Sequence, residues 1–325
     1  MTSAVRRIGV LTGGGDAPGM NAAVRAVVRA CMYRGIECIG IRRGYNGLIT
    51  GDFKKMEESD VAHIINRGGT VLYSARSDEF RDPVGQQKAA DTCTLLGLQG
   101  VIAIGGDGTF AGLQALSKFG VNVIGIPGTI DNDIGCSEYT IGYDTAANTA
   151  IEAIDKLRDT MQSHERCSVV EVMGHTAGHL ALYVGLATGA TAVLIPEREV
   201  DFQKDLVEKI QDARIAGKTH YMIIVAEGAG SAAEIAEKLE KALKLDVRVT
   251  VLGHVQRGGT PTARDRVTAT RMGNAAVELL AAGKTNRIVC VRHGAVTDVD
   301  MAEGLAMTRS LKAKDLQVLD AMTGI

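Results

Sequence analysis

The chain has 325 residues and a formal net charge of −2, from 36 lysines and arginines against 38 aspartates and glutamates. Because 46% of the residues are hydrophobic and 23% are charged, the composition excludes an intrinsically disordered chain. The charge balance also argues against nucleic-acid binding as the main function. The chain contains 39 glycines, whereas average usage predicts roughly 23, so the surplus requires a local explanation.

Short β-branched segments alternate along the chain with longer segments whose apolar residues recur at helical spacing. The predicted strands are Ile8–Leu11, Val101–Ile104, Val121–Ile126, Val169–Met173, Ala192–Ile195, Met222–Ala226, Val247–Leu252 and Ile288–Val291. The predicted helices are Ala22–Arg34, Phe110–Phe119, Thr145–Arg158, Phe202–Ala216, Ala232–Leu243 and Ala263–Ala281. Because the strands are apolar throughout, they predict sheets covered on both faces, and the alternation predicts a doubly wound α/β fold.

The apolar segments are all too short for a secretion signal or a membrane helix. The first, Ile8–Leu11, is much shorter than the about 18 apolar residues that span a bilayer. The six cysteines, at positions 31, 38, 93, 136, 167 and 290, form no C-x-x-C pair. We therefore expect a cytoplasmic protein with reduced thiols, no membrane partner and no zinc or iron–sulfur site.

The first strand leads into Thr12–Asn21, TGGGDAPGMN, at the start of a predicted helix. Glycines let backbone N–H groups approach a phosphate closely, and a helix N-terminus favours negative charge. A tight strand-to-helix turn is the alternative, although one glycine would suffice for it. The segment is not a P-loop, because Met20 and Asn21 stand where lysine and serine or threonine are required.

A second glycine loop, Ile104–Thr109, follows the next predicted strand. Gly106, Gly108 and Ala111 match the loose dinucleotide fingerprint, which is weak evidence by itself. Asp107 inside the turn would repel a pyrophosphate group unless a divalent cation lay between them. A metal–nucleotide complex therefore fits this loop better than NAD.

The third loop, Pro127–Asp133, places Asp131 and Asp133 on either side of an amide. A hydrogen-bonded Asx turn is the alternative role for such residues. Three acidic glycine loops at strand ends favour phosphoryl transfer, which needs a metal site, a base for the attacking hydroxyl and cationic clamps. Arginines in or near glycine-rich turns are candidate phosphate clamps: Arg67, Arg76, Arg81, Arg166, Arg248 and Arg257.

Two further pairs of residues lie four positions apart. His175 and His179 have the spacing of a metal-binding pair, but Thr176 stands where the zincin pattern has glutamate. Arg25 and Arg29 fit either a solvated helix face or an anion site, and their spacing does not decide between the two.

Together with Leu252–Gly259, LGHVQRGG, the three loops resemble those of the bacterial 6-phosphofructokinase family. The resemblance extends from about Arg7 to the last helix, so it covers nearly the whole chain. It implies two doubly wound, Rossmann-like α/β domains with mainly parallel sheets in three α/β/α layers. The larger, nucleotide-binding domain would comprise residues 1–142 and 256–306, and the smaller, sugar-phosphate-binding domain residues 143–255 and 307–325.

The resemblance implies transfer of a phosphoryl group from MgATP to the 1-hydroxyl of fructose 6-phosphate, the committed step of glycolysis. Asp131 matches the base that takes the proton from this hydroxyl, and Thr129 and Asp133 match residues that order the site. Asp107 matches the residue that holds Mg²⁺. The matching nucleotide-binding positions are Gly15, Tyr45, Arg76, Ser77, Phe80, Arg81, Gly106, Asp107, Gly108 and Thr109.

The matching substrate-binding positions are Thr129, Asp131, Arg166, Met173, Gly174, His175, Glu227, Arg248, His254 and Arg257. Of these, His254 and Arg257 match residues on the 6-phosphate of the sugar. The family lends the equivalents of Arg166 and Arg248 to the site of the neighbouring subunit. The resemblance therefore implies a homotetramer whose sites are shared between subunits.

The phosphoryl donor depends on two positions in these loops. Pyrophosphate-dependent relatives typically carry aspartate after Gly-Gly-Asp, and lysine before the threonine of the third loop. Those larger side chains would obstruct the space for the nucleotide α-phosphate. Here the positions are Gly108 and Gly128, which predicts ATP as the donor.

One departure from the family lies in the acceptor region, where Met-Gly-Arg is replaced by Met173-Gly174-His175. Histidine near neutral pH supplies only part of the charge of an arginine. We therefore expect His175, a candidate catalytic residue, to give weaker fructose 6-phosphate binding or a lower rate, more so at alkaline pH.

A second departure concerns regulation by ADP or phosphoenolpyruvate. The matching effector-binding positions are Arg25, Arg29, Arg158, Lys218 and His220. Glu58, however, stands where an effector arginine is common, and Thr191 where a metal-binding glutamate is. Because a carboxylate repels a phosphate, we expect weak or altered allosteric regulation. Gly13 and Cys136 also depart from the family, which often has serine and a glycine or similar residue there.

Three alternative functions remain open from the sequence. The chain fits a kinase for another sugar phosphate, because His175 lies in the acceptor region. It also fits a pyrophosphate-dependent phosphofructokinase, whereas an NAD-kinase-like enzyme would leave Pro127–Asp133 unexplained. From a different class, it fits a non-catalytic sugar-phosphate sensor, although binding alone requires neither a base nor a metal carboxylate.

Overall fold

The structure is a computed structural model that describes residues 5–323. The described chain divides into two compact units. The first unit comprises residues 5–130, Ile134–Thr145 and Arg257–Arg309, and the second comprises Asp131–Asp133, Ala146–Gln256 and residues 310–323. The main boundaries between the units follow Thr145, Gln256 and Arg309. The resemblance implies boundaries after residues 142, 255 and 306.

The elements follow one another as strands and helices in alternation for most of the chain. The strands are β1 (Arg7–Thr12), β2 (Glu37–Ile41), β3 (Phe53–Lys55), β4 (Val101–Gly105), β5 (Val123–Thr129), β6 (Ile141–Gly142), β7 (Cys167–Val172), β8 (Ala192–Leu194), β9 (Tyr221–Ala226), β10 (Val247–Val251), β11 (Arg287–Arg292) and β12 (Ala295–Asp300). The helices are α1 (Met20–Tyr33), α2 (Tyr45–Thr50), α3 (Pro83–Leu95), α4 (Asp107–Ser117), α5 (Tyr143–Ser163), α6 (His179–Thr188), α7 (Lys209–Ile215), α8 (Ala232–Leu243), α9 (Ala263–Ala281), α10 (Met301–Ala306) and α11 (Ala313–Thr323). Short helical turns lie at Glu58–Val61, Glu79–Arg81, Gln203–Glu208, Glu227–Ala229 and Gly253–Arg257.

The sheet of the first unit has the strand order β12-β11-β5-β4-β1-β2-β3, and β6 pairs with the end of β5. The β12–β11 and β2–β3 pairs are antiparallel, and the other pairs are parallel. Every residue of β4 and β5 is buried. Helices α1 and α9 pack together on this sheet, and α2, α3, α4 and α10 form a second group of packed helices. The sheet is therefore covered on both faces, as the apolar strands predict.

The sheet of the second unit has the order β10-β7-β9-β8, and its pairs are parallel. Helices α6 and α8 pack on it, and α11 packs on α6. The central strand β9 is buried along its whole length, whereas the edge strand β10 exposes Val249 and Val251. Val249 and Val251 are two residues apart and therefore lie on the same face of β10, so the prediction that the apolar segment Val247–Leu252 is covered on both faces is wrong within this chain.

The predicted doubly wound α/β fold with mainly parallel sheets is confirmed, and two predicted helices, Ala232–Leu243 and Ala263–Ala281, have the observed bounds. The predicted helix Phe202–Ala216 begins instead with a wide π-type turn, and its α-helical part starts at Lys209. Between residues 5 and 323, no helix combines the length and the apolar character that a membrane crossing requires.

Candidate active site

Strands β1 and β4 are neighbours in the first unit, and each leads through a glycine loop into a helix. Gly19 precedes helix α1 and Gly106 precedes helix α4, and neither helix start has a side chain that caps its N–H groups. The first N–H groups of a helix have no partner within the helix, and the helix dipole makes them a binding site for anions. These two adjacent helix starts are suited to a polyphosphate.

Other side chains approach the backbone closely at two glycines of the first loop. A Cβ atom at Gly15 would lie 2.4 Å from Nη1 of Arg257, whose guanidinium also donates to the Asp16 carbonyl at 3.3 Å. A Cβ atom at Gly13 would lie 2.8 Å from Oγ1 of Thr109. A serine at position 13 would therefore require the Thr109 side chain to shift in this chain, which the sequence alone does not show.

The second loop presents the predicted magnesium ligand. Asp107 is exposed in the first turn of α4, yet its surroundings remove enough water to raise the pKa of the carboxyl group. Carboxylate oxygen is a hard ligand that Mg²⁺ prefers, and Mg²⁺ commonly takes one or two carboxylates together with substrate phosphates. The residue type and its place at a helix start therefore fit Mg²⁺ bound to a nucleotide.

The aromatic pair predicted to bind the nucleotide lies beneath this region. The rings of Tyr45 and Phe80 stack with centroids 4.0 Å apart and an interplanar angle of 8°. Both side chains are buried, and the Tyr45 hydroxyl donates to the Thr109 carbonyl. Burial raises the pKa of Tyr45 well above its ordinary value, so the hydroxyl stays neutral and acts as a hydrogen-bond donor.

The remaining predicted nucleotide contacts lie on the segment that ends at the turn Glu79–Arg81. Ser77 Oγ accepts a hydrogen bond from the Phe80 N–H at 3.2 Å, which holds the aromatic ring at the start of the turn. Arg76 and Arg81 are exposed, and Arg81 lies 3.7 Å from the carboxylate of Asp78. The structure thus places both arginines at the surface of the first unit.

The third loop follows β5. Thr129 ends the strand, and the side chain of Asp131 is largely buried two residues later. Asn132, between the two aspartates, has a φ of 54°, in the left-handed region that asparagine tolerates better than most residues. This conformation turns the chain sharply between Asp131 and Asp133. This backbone is compatible with a simple Asx turn. Such a turn needs one aspartate or asparagine side chain, so it does not explain why the loop carries two aspartates.

In the second unit, the loop after β7 carries Met173, Gly174 and His175. The Glu227 carboxylate accepts hydrogen bonds from the backbone N–H groups of Gly174 and His175 through the same Oε1 atom, at 3.2 and 2.7 Å. His175 is exposed with a φ of 56°, and His179 begins helix α6. Glu227 thus fixes the turn that presents the imidazole.

The two arginines attributed to a neighbouring subunit's site are brought together by a carboxylate. The Asp246 Oδ2 atom lies 2.6 Å from Nε of Arg166 and 3.1 Å from Nη2 of Arg248. Strands β7 and β10 pair in parallel at this point, so the two side chains emerge side by side. His254 is exposed on the turn that follows β10, whereas Arg257 contacts the glycine loop of the first unit, as described above.

The predicted effector-binding residues already have partners within the chain at two positions. Arg29 on α1 forms an ion pair with Glu58, the residue that departs from the family pattern. Arg158 on α5 donates to the Thr188 carbonyl. Arg25 is half-buried on α1, and Lys218 and His220 lie in the segment before β9. Thr191 Oγ1 accepts a hydrogen bond from the Met222 N–H at 3.2 Å.

The family model described as phosphofructokinase matches residues 7–280. The chain belongs to the phosphofructokinase family. It is 50% identical over 319 residues to the ATP-dependent 6-phosphofructokinase of Clostridium botulinum, covering 98% of this chain and 99% of that protein. It is 51% identical over 319 residues to the protein of the same name from Clostridium tetani, covering 98% and 100%.

Solved structures of the family share the fold. Phosphofructokinase from Saccharomyces cerevisiae superposes with a TM-score of 0.86 at 33% sequence identity, covering 98% of this chain. The chain spans 47% of the length of that yeast chain. The two-unit architecture described above is therefore that of a phosphofructokinase.

Sequence reasoning missed three buried or bridging residues of this phosphofructokinase fold. Asn21 is buried, with its amide donating to the carbonyls of Arg67 and Gly68 and its Oδ1 accepting from Val71 N–H. Asp246 joins two predicted clamps, and Asp265 lies buried in α9. The spacing of Thr262 and Asp265 is typical of a helix capping box, and this signal was available in the sequence.

Proposed function

We propose that this chain is an ATP-dependent 6-phosphofructokinase, which transfers the γ-phosphoryl group of ATP to the 1-hydroxyl of fructose 6-phosphate. The products are fructose 1,6-bisphosphate and ADP. The observation that carries the proposal is the pair of uncapped helix starts, Gly19 and Gly106, which follow two adjacent strands, with Asp107 in the first turn of α4. The names of relatives that are half identical over almost the full chain support the same reaction.

The acceptor hydroxyl needs a base, and Asp131 is proposed for that role. Its carboxylate takes the proton from the 1-hydroxyl, and the resulting oxygen nucleophile attacks the γ-phosphorus while the bond to the β-phosphate oxygen breaks. Thr129 and Asp133 are proposed to order the same loop. Because Asp131 is largely buried, water has limited access to its carboxylate, which reduces competition from hydrolysis.

Asp107 is proposed to hold Mg²⁺ with the nucleotide. The bound ion would neutralise the charge of the β- and γ-phosphate oxygens. The N–H groups at the two helix starts and Gly15 of the first loop are proposed to bind phosphate oxygens, and Arg76 and Arg81 are proposed as cationic clamps. The Tyr45–Phe80 stack is proposed to pack beneath the nucleotide. Its burial and the hydrogen bond from Tyr45 to the Thr109 carbonyl support this proposal.

The proposed donor is ATP rather than pyrophosphate. A Cβ atom at Gly108 would meet no other atom within 4 Å, so this position leaves open space beside the helix start. At Gly128, a Cβ atom would lie 3.0 Å from Cγ2 of Ile104. The open space at Gly108 is consistent with room for the nucleotide α-phosphate. The tight packing at Gly128 disfavours a lysine at that position.

The residues proposed to bind the acceptor are Met173, Gly174, His175, Glu227, His254 and Arg257. Since Glu227 uses Oε1 for backbone N–H groups, its Oε2 atom is oriented away from that bond and is proposed to accept from a sugar hydroxyl. His254 and Arg257 are proposed to bind the 6-phosphate, Arg257 by exchanging its weak bond to the Asp16 carbonyl.

We further propose a homotetramer in which Arg166 and Arg248 complete the site of a neighbouring subunit. Val249, Val251 and Val255 are exposed on and after the edge strand β10. An apolar edge strand of this kind is normally protected from aggregation by a partner. The cytoplasm is the proposed compartment, because all six cysteines are free and buried.

Regulation by ADP or phosphoenolpyruvate is proposed to be weak. Arg25, Arg29, Arg158, Lys218 and His220 are the proposed cations of the effector site, and Glu58 opposes them. The Arg29–Glu58 ion pair supports this proposal, because a phosphate must displace the Glu58 carboxylate before it binds Arg29.

A kinetic screen tests the proposed function. The purified enzyme is assayed with fructose 6-phosphate and other sugar phosphates, each with ATP and with pyrophosphate, and formation of the bisphosphorylated sugar is measured by liquid chromatography and mass spectrometry, which detects turnover with either donor. We expect the highest kcat/KM with fructose 6-phosphate and ATP. Turnover with pyrophosphate but not ATP contradicts the donor, a higher kcat/KM for another sugar contradicts the acceptor, and binding without turnover favours a sugar-phosphate sensor.

A further inference from the structure

The Asp265 carboxylate is completely buried near the start of helix α9. Its Oδ1 atom accepts hydrogen bonds from the Tyr139 hydroxyl and, at 2.7 Å, from the Gly142 N–H. Its Oδ2 atom accepts from the Thr145 N–H at 2.9 Å and from the Thr145 hydroxyl. Four donors converge on one side chain that has acceptors alone when ionised. Burial raises the pKa of Asp265, and these hydrogen bonds act in the opposite direction.

The segment held by Asp265 is directly paired with the end of strand β5. In the β5–β6 pair, Gly128 lies opposite Ile141 and Thr129 lies opposite Gly142. The Thr140 hydroxyl donates to the Thr129 carbonyl at 2.7 Å. The position of Gly142 therefore determines where β5 ends, and the chain continues from that end into the residues that include Asp131.

The same segment packs against the glycine loop after β1. Gly142 has a φ of +106°, and a Cβ atom there would lie 2.6 Å from Cβ of Ala17. A Cβ atom at Gly19 would lie 2.6 Å from Cγ2 of Ile141 and 3.5 Å from Cβ of Asp265. Hence the segment 139–145 touches the proposed donor loop on one side and is hydrogen-bonded to the end of β5 on the other.

The capping-box spacing does not explain this arrangement. Thr262 Oγ1 accepts from the Asp265 N–H at 3.3 Å, as an N-cap does. In a complete capping box Asp265 would accept from the Thr262 N–H, but that group donates to Thr145 Oγ1 at 3.0 Å. The Asp265 side chain instead turns inward to Gly142 and Thr145, so its role reaches beyond its own helix.

We propose that Asp265 is a positioning residue that fixes the glycine loop after β1 and the end of β5 relative to each other. The inference rests on the proposed phosphoryl transfer, because it assigns these two segments to the donor phosphates and to the catalytic loop. Four hydrogen bonds to a buried carboxylate hold the intervening segment in one position. A small displacement of reacting groups is costly, since a shift of about 1 Å can reduce a rate by roughly 100-fold.

The Asp265→Asn variant tests this role with almost no change of volume. An amide has one acceptor oxygen, so at least one pair of donors faces an N–H₂ group. We expect kcat to fall about 100-fold, with the Kd for MgATP, measured by calorimetry, changed less than threefold. Rates are measured well below the melting temperature and normalised to the folded fraction by circular dichroism, because a purely stabilising residue leaves the rate of each folded molecule unchanged.

Glu171→Gln is the matched control. The Glu171 carboxylate accepts from the Ala232 N–H at 3.0 Å and so also holds a helix start, but one in the second unit. We expect its kcat to stay within twofold of wild type. An Asp265→Asn kcat within threefold of wild type, or an equal loss in Glu171→Gln, overturns the positioning role.

Tyr139→Phe keeps the test decisive if Asp265→Asn does not fold. It removes one hydroxyl donor and leaves the carboxylate with its two backbone N–H partners. We expect kcat to fall about two- to tenfold, as the loss of one hydrogen bond predicts, and an unchanged kcat overturns the proposal. The assays use whichever sugar phosphate the wild-type enzyme phosphorylates, so an error in the proposed acceptor does not affect this test.

Discussion

The glycine loops after β1 and β4 and the arginine clusters are both proposed phosphate sites, but they offer their donors in different ways. At the loops, the donors are backbone N–H groups of helix starts that no side chain caps. At the clusters, the cations already have internal acceptors: Arg29 pairs with Glu58, and Arg166 and Arg248 share Asp246. A phosphate enters the first kind of site by replacing water, whereas it enters the second kind by displacing a carboxylate.

This difference explains why a departure from the family pattern is expected to change the proposed effector site more than the proposed nucleotide loops. Backbone donors do not depend on side-chain identity, so the nucleotide loops keep their function as long as glycine leaves the space open. A cationic site can be weakened by a single acidic neighbour, which is the role proposed for Glu58 in its ion pair with Arg29. The proposed catalytic function therefore rests on the loops, and the proposed change in regulation rests on the arginine clusters.

The largest effect is expected for Asp131→Asn, which removes the proposed base. Because an amide does not accept the hydroxyl proton, kcat should fall about 10²- to 10⁴-fold with the KM for ATP little changed. Coupled steady-state kinetics measure both values. Asp212→Asn, at an exposed position on α7, is the control that should retain full activity. A kcat within tenfold of wild type for Asp131→Asn contradicts the assignment of the base.

Gly108→Asp is expected to have the next largest effect. The position has room for a side chain, so the variant should fold, but the carboxylate fills the space and repels a polyphosphate. We expect kcat/KM for ATP to fall about 100-fold, which corresponds to the roughly 3 kcal/mol of an unfavourable buried polar contact. Gln114→Glu adds the same charge later on α4 and serves as the control. An ATP kcat/KM within threefold of wild type for Gly108→Asp contradicts the donor site.

His175→Arg addresses the acceptor region, with a moderate expected effect. Guanidinium is always charged and offers a planar set of donors that matches phosphate, which imidazole does not. The variant should increase kcat/KM for fructose 6-phosphate about three- to tenfold, with the KM for ATP little changed. Steady-state kinetics of both proteins measure these values. An unchanged kcat/KM for fructose 6-phosphate contradicts the role of position 175 in the acceptor region.

Glu58→Gln is expected to have the smallest effect, because exposed ion pairs contribute at most about 1 kcal/mol. Removing this carboxylate frees Arg29, so the phosphoenolpyruvate concentration that gives half-maximal inhibition should fall about three- to fivefold. Glu278→Gln is the control, since Glu278 forms a comparable ion pair with Arg34 at 2.8 Å. An unchanged response to phosphoenolpyruvate and ADP in Glu58→Gln contradicts the proposed cause of weak regulation.

The sequence predicts the fold class well because most strands are apolar throughout and their helices are amphipathic. It does not predict α3, Pro83–Leu95, whose exposed residues lack helical apolar spacing, although Asp82 caps this helix by accepting from Val84 N–H. It also does not predict α6, His179–Thr188, because a helix that is apolar on nearly all sides has no amphipathic pattern.

The candidate site is predicted unevenly for a related reason. Glycine and aspartate in loops can be recognised as candidate site residues by residue type alone, so Gly106, Asp107 and Asp131 are predicted from the sequence. The partners that hold such residues are ordinary side chains far away in the chain, as with Glu58 for Arg29 and Asp265 for Gly142. Contacts of this kind depend on tertiary packing, which local spacing does not encode.

Identification of the product tests the central claim most directly. The purified enzyme is incubated with MgATP and fructose 6-phosphate, and the reaction is followed by ³¹P nuclear magnetic resonance. The proposed function predicts that a new phosphomonoester signal at the 1-position grows in step with ADP, while the 6-phosphate signal persists at the same total intensity. ADP that forms together with inorganic phosphate, or a product phosphorylated elsewhere than at the 1-hydroxyl, would contradict it.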